Sequence, residues 1–152
     1  MLTNLDQDTI DQIHDLQLEY KDEPQPELLI RIPNKTPGVA YVVEHQTAEF
    51  TSLCPLNMAQ PDFATITIRY VPNQFLVELK SLKFYLVSFR QCTIFHEMVP
   101  PTIMQSLVNL LKPKGLEVIG QFTTRGGLHT NVSSSYQEPI VYQKPVVEVK
   151  KK

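Results

Sequence analysis

The chain has 152 residues, 42% of them hydrophobic, with 14 Lys and Arg against 16 Asp and Glu and a formal charge of −2. A single domain of that length buries about 68–70% of the surface its unfolded chain exposes, enough for a core without disulfide or metal staples. The near-neutral balance excludes a nucleic-acid coat or a polybasic membrane anchor. No apolar run approaches the roughly 18 residues of a membrane span, and Met1-Leu2-Thr3-Asn4 does not open a secretory leader, so a cytoplasmic protein is expected. Its two cysteines are then thiols, to be explained one by one.

Residues 1–27 hold eight acids and one base, Lys21, and read as a solvated acidic arm with an imperfect helical stripe at Ile10, Ile13, Leu16 and Leu18. Pro24, Pro26, Pro33 and Pro37 break any regular element, so 21–38 is expected to be an extended connector and the folded body to begin near Val39. The expected division is therefore an arm and connector over 1–38 and one catalytic domain over 39–152. Val39 to Glu44 alternates weakly as a strand. Phe63 to Tyr70 is β-branched with period two and ends at Pro72, which predicts a strand. Phe75 to Arg90 carries apolar residues at 75, 76, 79, 82, 86 and 89 and predicts a helix. A second helix follows Pro100-Pro101 and is closed by Pro113 and Gly115. Leu116 to Phe122 resumes strand composition, Gly126-Gly127 marks a turn or bulge, and Leu128 to Val132 can return as a hairpin partner. The tail from Ser133 is expected to be an edge strand or disordered.

The order β, β, α, α, β, β predicts an α+β fold, an antiparallel sheet with two helices on one face. Such a sheet leaves its edges open, so association into a closed ring, a homo-oligomer, is expected. Between 69 and 125 seven bases face three acids, a balance suited to a polyanionic small molecule.

Several side chains are candidates for chemistry, each with a plainer reading beside it. Cys54 ends a strand-like stretch, where it is either a nucleophile or a small buried apolar residue; Cys92 is read as buried. Asp62 follows Pro61 eight residues later, as a turn cap or as a proton donor to the same site, a role that asks for partial burial. Glu97, beside His96, is either a favourable charge at a helix start or a carboxylate matching the N–H and NH2 donors of a guanine-like or pterin-like ring. Lys80 and Lys83 share a helix face that is merely solvated or clamps phosphates, and Arg125 before two glycines has the same two readings. Cys54, Cys92 and His96 could supply three zinc ligands, but no metal spacing supports them and no metal is expected. Neither a Rossmann glycine motif nor a P-loop is present, so a nucleotide would be held by basic residues.

Taken together, Phe50-Thr51-Ser52-Leu53-Cys54-Pro55, Gln60-Pro61-Asp62-Phe63-Ala64-Thr65-Ile66, Glu78-Leu79-Lys80-Ser81-Leu82-Lys83-Phe84-Tyr85, Phe95-His96-Glu97 and Phe122-Thr123-Thr124-Arg125-Gly126-Gly127 closely resemble the NADPH-dependent 7-cyano-7-deazaguanine reductases, the nitrile reductases of queuosine biosynthesis. The resemblance covers roughly 40–132. It implies the tunnelling fold shared with GTP cyclohydrolase I, in a short form that closes into an oligomeric barrel of two pentameric rings with sites between subunits. It further implies Cys54 as the thiolate that forms a thioimide and Asp62 as the acid. Val77, Glu78, Leu79, His96 and Glu97 would contact the deazapurine substrate, and Lys80, Lys83 and Arg125 the phosphates of NADPH. Neither nucleic acid nor a membrane is implied as a partner. Two other readings remain: a relative that transfers ammonia or an amidine to the same nitrile without a reductant, and a purine- or pterin-binding module that has no need of Cys54 with Asp62.

Overall fold

The computed structural model of the chain describes residues 4–137. Among these, the elements run α1 (Gln7–His14), β1 (Arg31–Pro33), β2 (Val43–Leu53), β3 (Pro61–Val71), β4 (Phe75–Val77), α2 (Leu79–Val87), α3 (Val99–Leu111), β5 (Gly115–Phe122) and β6 (Asn131–Tyr136). A four-stranded antiparallel sheet has the order β2-β3-β5-β6, and β1 pairs with β4 as a separate two-stranded ribbon. The main sheet with α2 and α3 between its halves is the expected β, β, α, α, β, β arrangement.

Strand alternation decides where the core sits. Ala64, Ile66, Ile68 and Tyr70 of β3 lie opposite Phe122, Gly120, Val118 and Leu116 of β5, so one face of the sheet is apolar. Against it pack Leu82, Tyr85 and Leu86 of α2 and Ile103, Leu107 and Leu111 of α3, all buried. Each fully buried side chain of this kind stabilises the fold by about 1.5–3 kcal/mol relative to exposure. The other face is polar: Arg69 reaches Glu44 at 2.5 Å and Glu117 at 3.3 Å across three strands.

Gly120 faces the first turn of α3, and a Cβ there would stand 2.8 Å from the Phe122 ring and 3.1 Å from Pro100. Phe122 is 1% exposed and has no room to yield. Gly120→Ala is therefore expected to cost about 1–3 kcal/mol, the usual penalty of overpacking, and to lower the midpoint of thermal or urea unfolding. An unchanged midpoint would show that α3 slides away at no cost.

Three sequence expectations need correction. The helix expected over 75–90 begins at Leu79, because Phe75–Val77 is extended against Arg31–Pro33 and Glu78 caps the helix by accepting from the N–H groups of Lys80 (2.9 Å) and Ser81 (2.7 Å). Past Val87 it tightens into a 3₁₀ turn, Ser88–Gln91. Residues 21–38 are not free of regular structure either. A 3₁₀ turn at Pro26–Leu28 drives Leu28 and Leu29 into the core, and β1 follows. Prolines suit both: Pro26 starts the turn, and Pro33 ends a strand that pairs, among the described residues, with β4 alone. The strand expected at 39–44 is displaced, with β2 running from Val43 through the stretch that leads to Cys54. β6 forms the expected edge; the remainder of the tail, from 138, lies outside the described residues.

Candidate active site

Cys54 is held by the way β2 ends. The amide of Leu53 donates to Cys92 O (2.9 Å) and its carbonyl accepts from Ile94 (3.2 Å), which lays the 92–94 segment alongside the strand. Cys54 N then donates to Gln60 O (3.1 Å) and Cys54 O accepts from Asn57 (3.3 Å), closing a short loop that returns into β3. The loop folds its own amides toward the half-buried sulfur. The N–H groups of Leu56 and Asn57 hold the thiol below its ordinary pKa of 9.0, against the opposing effect of burial and with the help of the Arg125 guanidinium. Cys92 behaves oppositely: it is 1% exposed, bonds to Ser88 O at 3.2 Å, and its thiol is pushed up to about 11 by burial and then by Asp22 and Glu23.

Asp62, one residue into β3, faces the helices at the mouth of the same hairpin and is 2% exposed. A buried carboxylate needs partners on both oxygens, and Asp62 has them. Oδ1 accepts from the Arg125 guanidinium, and Oδ2 lies 3.2 Å from His96 Nε2. His96 comes from the 3₁₀ turn His96–Met98 that precedes α3, and its ring stacks on Phe122 at 4.1 Å and 10°. Ser52, opposite Asp62 in the neighbouring strand, is fully buried, and among the described residues its hydroxyl has no hydrogen-bond partner. Glu97, next to His96, is exposed.

The structure thus gathers Cys54, Asp62, His96 and Arg125 at one end of the sheet. The other residues singled out in the sequence lie elsewhere. Val77 is core, its N–H donating to Tyr70 Oη at 3.2 Å, and the Glu78 carboxylate is the cap of α2. Leu79 is exposed. Lys80 Nζ donates to Ile13 O at the end of α1 (2.8 Å) and stands over the Phe84 ring, while Lys83 is exposed. Lys80 and Lys83 line a groove of about 900 Å³ between β2 and α2, and Arg90 lines it with them. Arg90 had a signal that sequence reasoning passed over, since it lies seven residues, two helical turns, beyond Lys83. The pairing of Asp62 with His96 and Arg125 had none, because its partners are 34 and 63 positions away. Among the described residues no group of three His, Cys, Asp or Glu side chains is arranged to hold a metal ion, and no helix is long and apolar enough to cross a membrane.

The architecture and this cluster define the class. A family model described as QueF-like protein matches residues 61–140. An NADPH-dependent 7-cyano-7-deazaguanine reductase of Thermomicrobium roseum is 54% identical over 109 residues, 72% of this chain and 84% of that protein. One of Chloroherpeton thalassium is 45% identical over 113 residues, 74% of this chain and 97% of its own length. The crystal structure of an archaeosine synthase QueF-Like in the apo form superposes with a TM-score of 0.60 at 18% identity, covering 65% of this chain and 96% of that one, and so shares the fold. The chain belongs to the QueF-like family and, within it, stands with the NADPH-dependent 7-cyano-7-deazaguanine reductases.

Proposed function

We propose that this chain reduces the nitrile of 7-cyano-7-deazaguanine to the aminomethyl group, using NADPH, as a step of queuosine biosynthesis. The observation that carries the reading is the cluster itself, in a chain 54% identical to such a reductase: a cysteine whose thiol is biased toward thiolate beside a carboxyl buried between two nitrogen donors. A nitrile carbon is electrophilic but slow to react, so capture by sulfur divides a difficult reduction into easier parts. Asp62, a carboxylate against Arg125 in the free site, takes up a proton through Oδ2 as the nitrile binds. Cys54 Sγ then bonds to the nitrile carbon while the nitrogen takes that proton, which leaves a neutral thioimide and the carboxylate again. Oδ2 stays in contact with His96 Nε2, so a proton lost from Asp62 has a neighbour able to replace it. Glu97 accepts the donors of the deazaguanine edge.

NADPH, when bound, supplies the two hydrides that this four-electron reduction requires. The donor set fits its phosphates: Lys80, Lys83 and Arg90 line one groove, and three cations suit a pyrophosphate and a 2′-phosphate.

Self-association is part of the proposal. Asp62 and Tyr70 are eight strand steps apart, roughly 26 Å at about 3.3 Å per residue, and Val77 N–H is bonded to Tyr70 Oη. The start of α2 therefore lies far from Cys54 within one chain, and Val77, Glu78 and Leu79 reach a deazapurine only at the site of a neighbouring copy. Leu56, Met58, Phe63, Phe95, Met98 and Leu128 are large exposed apolar side chains from segments close to Cys54, Asp62, His96 and Arg125 in sequence, which a neighbour would cover. Closure of the open β2 and β6 edges into a barrel of two pentameric rings meets the same need.

Incubation with 7-cyano-7-deazaguanine, with and without NADPH, tests the reading by mass spectrometry. Product is expected only with NADPH, at two cofactors oxidised per amine; substrate turned over without reductant, beyond the one equivalent held as the Cys54 adduct, would favour the transferase class. Lys83→Ala and Arg90→Ala are each expected to raise the KM for NADPH about tenfold at low salt and by less at high salt, where screening already weakens the wild-type contact, without changing the Cys54 adduct. Unchanged KM values would leave these bases a solvated face.

A further inference from the structure

We propose that Arg125 is a positioning residue for the nitrile chemistry, its guanidinium held on the Asp62 carboxylate at the mouth of the hairpin that carries Cys54, so that a thiolate and a second anion can stand side by side in one site. This deepens the reductase reading, on which it rests, and gives Arg125 work other than holding cofactor phosphates.

The backbone fixes where this arginine can be. Arg125 and Leu128 exchange hydrogen bonds in both directions at 2.9 Å around Gly126 and Gly127, whose φ angles are +56° and +78°. Two positive φ angles in a row are the demand of the tight hairpin turn that glycine meets without strain. Upstream, Thr123 N donates to Phe63 O at 3.0 Å, so the segment is pinned to β3 beside Asp62. The guanidinium reaches Asp62 Oδ1, and Cys54 follows two residues after Ser52, the strand partner of Asp62, so the charge of Arg125 favours the thiolate there. The Asp62 side chain is 3% exposed and that of Arg125 is 35%, so the arginine closes the site from the solvent side.

The electrostatic need is specific. A carboxylate beside a thiol favours the protonated thiol, and a cation between them reverses the preference. The charged and titratable groups facing the pair are few. Arg125 comes from the β5–β6 connection, His96 from the turn before α3, with exposed Glu97 next to it, and the loop after Cys54 offers only the amides of Leu56 and Asn57. His96 is engaged with Oδ2, which leaves Arg125 as the cation that contacts Oδ1 and also favours the Cys54 thiolate. A guanidinium suits this place because its planar fork presents several donors in fixed directions and its charge persists at every working pH.

The test needs neither nitrile nor cofactor. The rate of Cys54 alkylation by iodoacetamide is measured against pH by intact mass on the full chain, for wild type, Arg125→Met, Arg125→Lys and the double variant Arg125→Met/Asp62→Asn. The wild-type midpoint is expected below 9.0. Arg125→Met should raise it by about one pH unit or more, a roughly tenfold loss of rate near neutrality. Arg125→Lys, which keeps the charge, should stay near wild type, and Asp62→Asn in the methionine background should bring the midpoint back down. An unmoved midpoint in Arg125→Met, or Arg125→Lys shifting as far as Arg125→Met, would overturn the proposal. So would a raised KM for NADPH in Arg125→Met with normal alkylation, which returns the arginine to the phosphates. A wild type that alkylates as described yet never oxidises NADPH with the nitrile would defeat the reductase reading and leave this one standing.

Discussion

Cys54→Ala is expected to abolish both the covalent adduct with 7-cyano-7-deazaguanine and NADPH oxidation, with kcat falling at least about 10³-fold, because the whole reaction passes through one sulfur. Wild-type protein mixed with the nitrile alone should gain the mass of one substrate per reactive cysteine. The rate of that gain should follow the thiolate fraction, rising with pH to a plateau whose midpoint lies below 9.0, since Leu56, Asn57 and Arg125 favour the anion. Cys92→Ala is the matched control. Its thiol is buried and pushed up to about 11, so it contributes no thiolate near neutrality, and its loss removes only a small packed side chain. An adduct that survives Cys54→Ala, or disappears in a folded Cys92→Ala, would assign the nucleophile wrongly.

The parts of this molecule that could be read from sequence are those where local pattern and tertiary packing agree. Phe63 to Tyr70 alternates because β3 packs one face on two helices, and α3 shows its stripe at Ile103, Leu107 and Leu111 for the same reason. At Phe75-Leu76-Val77 local pattern and tertiary packing disagree. These apolar residues also fit a helical spacing, and what decides for a strand is Arg31–Pro33, more than 40 residues upstream, where prolines hide any strand signal. Cys54 with Asp62 was legible for a related reason, since a hairpin returns within a few residues and joins them. His96, Arg125 and Asp62 were each singled out, but their pairing was not. No periodicity links a turn before α3, a turn after β5 and the first residues of β3; the sheet order β2-β3-β5 brings them together. The acidic arm shows the same limit. Its helix is capped locally by Asp6, yet Lys80 reaches Ile13 across 67 positions, and a solvated arm was all that composition could predict.

Asp62→Asn is expected to lower kcat by about 10²–10⁴-fold while leaving Cys54 open to iodoacetamide, because the amide keeps the shape of the carboxyl and cannot act as its acid. The asparagine oxygen can still accept from Arg125, whereas its NH2 group turns a donor toward His96 Nε2, where the carboxylate had offered an acceptor. The imidazole must then present a bare nitrogen there or lose the bond, and its stacking on Phe122 at 4.1 Å limits how far it can swing. A destabilisation of roughly 1–3 kcal/mol is the expected ceiling for one buried donor left poorly paired, less than the effect on turnover. The two readouts separate the roles. Adduct formation with the nitrile should slow along with kcat, because addition needs the proton on nitrogen, and the KM for NADPH should hold, because Lys80, Lys83 and Arg90 are untouched. Turnover within about tenfold of wild type would mean that another group protonates the nitrogen, and His96, already 3.2 Å from that carboxyl, would be the next residue to change.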